Sequence, residues 1–218
     1  MNQIEIYKES CGSLINLLLQ RHIGYELFDP LGLIGPVITS AKIFLLRFWL
    51  QKVNWNDTVP PNDLNDWLKF LKDLPEVDKL EIPRCAIITN PVIIDLHRFC
   101  DSSDKAYGAV LYLCSKNESS EVQTSIVCCK SRVCPIKATT TPRLELSATM
   151  LLARLVSKVT SIIQVPINHI YMCSTIALAW IKIPPERLKT YVSNRVKTTP
   201  CVPIMTGDMK IQQTIQQA

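Results

Sequence analysis

The chain has 218 residues, of which 47% are hydrophobic and 20% charged. That is enough apolar material for a real core, and the charge content is too ordinary for a disordered chain. The net charge of +5 permits contact with nucleic acid without requiring it. The most apolar helix candidate, 41–50, is interrupted by Lys42 and Arg47. It falls well short of the ~20 apolar residues of a membrane span. The nine cysteines are odd in number and contain no Cys-x-x-Cys pair, and none of His22, His97 or His169 stands at zinc-ligand spacing from a cysteine pair. The start, Met1-Asn2-Gln3-Ile4-Glu5-Ile6, lacks the basic and apolar regions of a signal peptide. The cysteines are therefore expected to be reduced, intracellular and mostly buried as small hydrophobes.

In chain order, a short helical pattern around Leu14 to Gln20 precedes a turn-rich stretch, Phe28-Asp29-Pro30-Leu31-Gly32-Leu33-Ile34-Gly35-Pro36. Thr39 or Ser40 is expected to cap a helix running to about Gln51. Pro60-Pro61-Asn62-Asp63 opens a second helix, about 64–74, with Leu64, Trp67, Leu68 and Leu71 on one face. The texture then changes to strands at 82–88, 92–100 and 106–114. A polar turn at Lys116-Asn117-Glu118-Ser119-Ser120 leads to a returning strand, 123–130. Thr141-Pro142 starts a long helix to about Ile163, with Leu144, Leu151, Leu155, Val159 and Ile162 near helical spacing. A strand at 168–173, a helix to about Lys182 and a short helix between Arg187 and Val196 follow. The order is α/β with an antiparallel hairpin start.

Two acids stand at informative places. Asp101 before Ser102-Ser103 reads alone as a strand end, and Glu145 alone as a first-turn acid favoured by the helix dipole. Together they have the order strand-Asp, helix-Glu, strand, which is the order of a carboxylate cluster that holds two metal ions for phosphodiester hydrolysis. Tyr107, Trp180 and Tyr191 suit either base stacking or core packing. Lys130, Arg132, Lys137 and Arg143 suit either a phosphate-binding face or a solvated surface. An aromatic residue followed closely by paired aspartates, the polymerase signature, does not occur. Asp101-Ser102-Ser103 is not the Asp-Thr/Ser-Gly turn of a pepsin-like peptidase.

Seven segments in order carry a resemblance: Phe28-Asp29-Pro30-Leu31-Gly32-Leu33; Ile82-Pro83-Arg84; Phe99-Cys100-Asp101-Ser102-Ser103 with Ala106-Tyr107-Gly108-Ala109-Val110; Lys130-Ser131-Arg132-Val133; Thr141-Pro142-Arg143-Leu144-Glu145-Leu146; Ser174-Thr175-Ile176-Ala177-Leu178-Ala179-Trp180-Ile181; and Tyr191-Val192-Ser193-Asn194-Arg195-Val196. Through them residues 28–196 resemble the Pao/BEL retrotransposon polyprotein, from the region after its reverse-transcriptase core into an RNase H-like domain. The resemblance implies an α/β fold, an RNase H-like mixed sheet with flanking helices at 80–196, incomplete at its end. A small helical connection-like unit at 28–78 precedes it. Residues 1–27 match poorly, and 197–218 are expected to form a disordered tail.

The implied activity is Mg²⁺-dependent hydrolysis of RNA in RNA–DNA hybrids, with Asp101 and Glu145 as catalytic and metal-binding remnants. The family pattern has aspartate where Cys173 stands, and a further aspartate in an Asn-Pro-Ala-Asp segment that is absent here. The context of Asp208, Thr206-Gly207-Asp208-Met209, does not match that segment. Magnesium is a hard cation that wants oxygen ligands, so a thiol is a poor substitute. The expectation is an inactive domain with residual binding to RNA–DNA hybrid or other nucleic acid and no membrane association. The alternatives are an active ribonuclease using Asp101, Glu145 and an unrecognised acid such as Asp208, or a host-retained, non-catalytic interaction module.

Overall fold

A computed structural model describes residues 29–53, 60–83, 85–137, 139–173 and 183–198. They fall into two units, one of 29–30 with 34–82 and the other of 31–33 with 83 onward. The leading segment 1–27, the expected helix ending near Lys182 and the tail from Pro200 lie outside the described residues.

The first unit is a helix pair. Helix α1 (Gly35–Leu50) starts four residues before the expected caps. Pro36 fits its first turn, where no backbone donor is needed. The Asp29 carboxylate, five residues upstream, accepts the Ile34 N–H at 2.9 Å. Ser40 sits inside the helix and donates back to the Pro36 carbonyl at 3.0 Å, a use of serine the capping rule does not cover. Helix α2 (Pro61–Asp73) opens on proline, carries Asp63 in its first turn and runs into a 3₁₀ segment, Leu74–Lys79. Between the helices Ala41, Phe48 and Trp67 are buried, with Phe44, Leu64, Phe70 and Leu71 packed around them. Trp67 stacks on Phe70 at 5.3 Å and meets Phe44 edge-on at 5.5 Å.

The second unit is a four-stranded mixed sheet in the order β3-β2-β1-β4. Its strands are β1 (Pro91–Ser102), β2 (Ala106–Asn117), β3 (Val122–Val133) and β4 (His169–Cys173). The first three form an antiparallel meander, and β4 returns parallel to β1 after helix α3 (Thr141–Ile162). Alternation places Ile94 and Leu96 of β1 on the face that packs against Leu151, Leu152 and Val156 of α3, together with Ala109, Leu111 and Leu113 of β2. A bulge between Leu111 and Tyr112 lets Cys128 join this core while Ile126 remains 45% exposed. Helix α4 (Thr190–Thr198) covers the start of α3 through Val192 and Val196 against Leu146.

The described residues of 82–88 do not form the expected strand. Two of their backbone groups are bonded by side chains instead: Ser115 Oγ accepts the Ile88 N–H at 2.9 Å, and Gln123 Nε2 donates to the Cys85 carbonyl at 2.9 Å. Pro83 removes a ladder donor from the same stretch. The cysteines are also less buried than expected. Of the six whose side chains are described, all free, Cys128 is buried, Cys85 is exposed and four lie between.

Residues 31–33 lie against β3. The Leu31 carbonyl accepts the Cys129 N–H at 2.8 Å, and the Cys129 thiol donates to the Gly32 carbonyl. Gly32 has φ +78°, and a Cβ there would overlap the Cys129 carbonyl. Only glycine meets both demands.

Candidate active site

The carboxyl ends of the two parallel strands and the start of α3 bring the sequence candidates to one end of the sheet. Asp101 is the next-to-last residue of β1 and is exposed. Its Oδ1 accepts the Ser102 N–H at 2.7 Å, and Ser103 closes the following turn through bonds with Ala106. This is why Asp-Ser-Ser follows the strand. Across the ladder Asp101 faces Gly108, where an added Cβ would meet only ordinary contacts, the nearest being Lys130 O at 3.6 Å. Packing does not require this glycine.

Glu145 is the fifth residue of α3 and half-buried, so it lies in the second turn and not, as expected, in the first. Its carbonyl accepts the Thr149 hydroxyl at 2.9 Å, and Thr149 Oγ1 lies 3.7 Å from the thiol of Cys100, the neighbour of Asp101. Because the threonine proton is engaged with Glu145, the thiol is the donor. One helical turn and one strand residue therefore link the two acids. Cys173 is the last residue of β4, and its backbone pairs with Phe99, two residues before Asp101. The position where the resemblance expects a carboxylate thus stands at the same end of the sheet. Among the described residues no three of His, Cys, Asp and Glu come together to hold a metal ion. Two carboxylates and a thiol position do not fit a pair of hard divalent cations.

The basic candidates separate. Lys130, Arg132 and Lys137 are exposed, whereas Arg143 is half-buried over the ring of Tyr191. Tyr107 packs against the sheet core, and Trp180 and Asp208 lie outside the described residues. Three residues were missed as candidates. Arg98, 1% exposed, donates from Nε to the Tyr171 carbonyl at 3.2 Å, and burial draws its pKa down. His97, 6% exposed, stacks on Tyr171 at 5.0 Å, and burial lowers its pKa against the opposing pull of Asp95. Arg195 lies over Tyr191 at 3.5 Å. Its signal was available in the sequence, since Tyr191 and Arg195 share one helix face at i, i+4.

A four-stranded mixed sheet with this strand order and flanking helices is the architecture of the RNase H-like class. The chain belongs to the Pao retrotransposon-like RNaseH-like domain family, whose model matches residues 22–175. The match begins inside the segment expected to match poorly and ends before Tyr191–Val196. Among solved structures the chain is similar to a foamy viral protease-reverse transcriptase in complex with dsDNA, with 16% identity and a TM-score of 0.26. That likeness covers 91% of this chain and 41% of the other, so the chain spans less than half of that protein's length. No curated protein matches the sequence.

Proposed function

We propose that this is an RNase H-like domain of retrotransposon origin that has lost hydrolysis of RNA–DNA hybrids and keeps the capacity to bind nucleic acid. The reading rests above all on Cys173, which ends β4 in the parallel ladder beside the strand that carries Asp101. RNase H-like enzymes depend on divalent metal, which activates the attacking water and stabilises the leaving oxygen. That work needs several carboxylates acting as a unit, and removing one member of such a unit typically costs orders of magnitude in rate. What remains suits binding. The exposed Lys130 and Arg132 on β3 and the net positive charge favour a polyanion.

The test is cleavage of a labelled RNA–DNA hybrid by Cys173→Asp beside its parent. A gain in cleavage from an inert parent supports the reading. An active parent unaffected by the substitution would instead support an active ribonuclease that uses another acid.

A further inference from the structure

We propose that the outer edge of β3 pairs with the same edge of a second copy of this chain, antiparallel and centred on Thr124, joining the two sheets into one.

β3 is an end strand of the sheet, so one row of its backbone groups faces away from β2. The hydrogen bonds show which row. The Gln123 carbonyl accepts the Ser115 hydroxyl at 3.4 Å, and the Glu121 carbonyl accepts the Asn117 N–H at 3.2 Å, both on the β2 side. Val122, Thr124 and Ile126 therefore turn their N–H and C=O groups outward. Among the described residues none of these groups has a partner. The three side chains are exposed, Val122 by 59% and Ile126 by 45%. The devices that usually blunt an edge lie further along the strand. The bulge stands opposite Leu111 and Tyr112, Leu31 covers Cys129, and the charges are Lys130 and Arg132. The stretch Val122-Gln123-Thr124-Ser125-Ile126 carries no charge and no proline, and three of its residues are β-branched.

The pattern is complementary to itself. With Thr124 of each copy face to face, Val122 of one lies across from Ile126 of the other. Each outward residue then exchanges both backbone bonds with the residue opposite. The side-chain pairs become valine with isoleucine and threonine with threonine, which sheets favour across strands. The charges agree with this orientation. The same register carries the exposed Glu118, in the turn before β3, toward the exposed Lys130 of the other copy, and symmetry repeats the contact. A parallel copy would set Lys130 beside Lys130 and Arg132 beside Arg132. A contact of one short strand from each side is small for a protein interface, so the dimer should form reversibly with concentration.

The test is sedimentation equilibrium of the unsubstituted chain over a concentration series, with thermal melts on the same samples. The average mass should rise toward that of two chains. Thr124→Pro removes the central outward N–H and puts a ring on the edge, so it should stay monomeric throughout. Lys130→Glu should weaken the dimer by up to about fivefold for each of the two surface contacts, and adding Glu118→Lys should restore it. An unsubstituted chain that is monomeric at every concentration would overturn the proposal, as would a dimer that a folded Thr124→Pro leaves intact. If Thr124→Pro does not fold, the charge variants decide. Equal dissociation constants for the parent, Lys130→Glu and the double exchange would overturn the antiparallel pairing.

Discussion

The two faces of the sheet are built from different chemistry. The face toward α3 is mostly aliphatic, with Ile94, Leu96, Leu111 and Leu113 meeting Leu151, Leu152 and Val156, and buried Arg98 beside them by alternation. By alternation the other face carries Asp95, His97, Phe99 and Asp101 from β1, facing His169, Tyr171 and the Cys173 position of β4. There His97 stacks on Tyr171, Phe99 meets Tyr112 edge-on at 5.8 Å, and Asp95 pairs with His169 at 2.9 Å. One face supplies the non-directional burial that makes the fold. The other holds the groups whose charge depends on pH, and its strand ends carry the remnants of the chemistry. Damage to the first should therefore unfold the domain, and damage to the second should change how it responds to conditions.

The largest expected effect is on the aliphatic face. Leu96→Ala or Leu111→Ala, each at a fully buried site, should cost about 2–5 kcal/mol in a urea melt. A loss below about 1 kcal/mol would mean that α3 does not seal this face. Next is Gly32→Ala, where the new Cβ meets backbone and the positive φ adds strain, together about 1–3 kcal/mol. Faster amide exchange at Cys129, whose N–H bonds to Leu31, would report it directly.

The ionisable face should give a pH dependence. Burial lowers the His97 pKa below its ordinary value of 6.5, so below about pH 6.5 the unfolded chain binds a proton that the folded chain resists. Stability should therefore fall with acid in that range, by at most about 1.4 kcal/mol per pH unit for one proton. His97→Phe should flatten the profile, and an unchanged acid limb would assign the effect elsewhere. The Asp95–His169 pair should matter least, about 0–1 kcal/mol in a double-mutant cycle, because His169 is half exposed. Thiol labelling separates the regions without any mutation. Burial pushes the Cys128 thiol up to about 11, so it should stay unmodified by iodoacetamide at pH 8 while the exposed Cys85 reacts.

Much of the fold was legible because local pattern decides it. The meander, α3 and β4 follow from alternation, Thr141-Pro142 and a short apolar run. The failures have specific causes. A single helical stripe cannot describe α3, which is buried against both the sheet and α4. Leu146 and Leu152 were therefore missed, while Ile162, placed in the stripe, is 74% exposed. Residues 82–88 look like a strand, but the Ile88 donor and the Cys85 acceptor are met by Ser115 and Gln123, tertiary partners that no local pattern reveals. Asp101 and Glu145 were readable as a pair only through their order along the chain. The Thr149–Cys100 contact that links them depends on packing.

The most direct measurement is cleavage of a labelled RNA–DNA hybrid by the folded chain, in magnesium and then in manganese. The account predicts no cleavage in either metal, with the hybrid still bound. Cleavage that disappears in Asp101→Asn would contradict it and show that hydrolysis survives with cysteine at position 173.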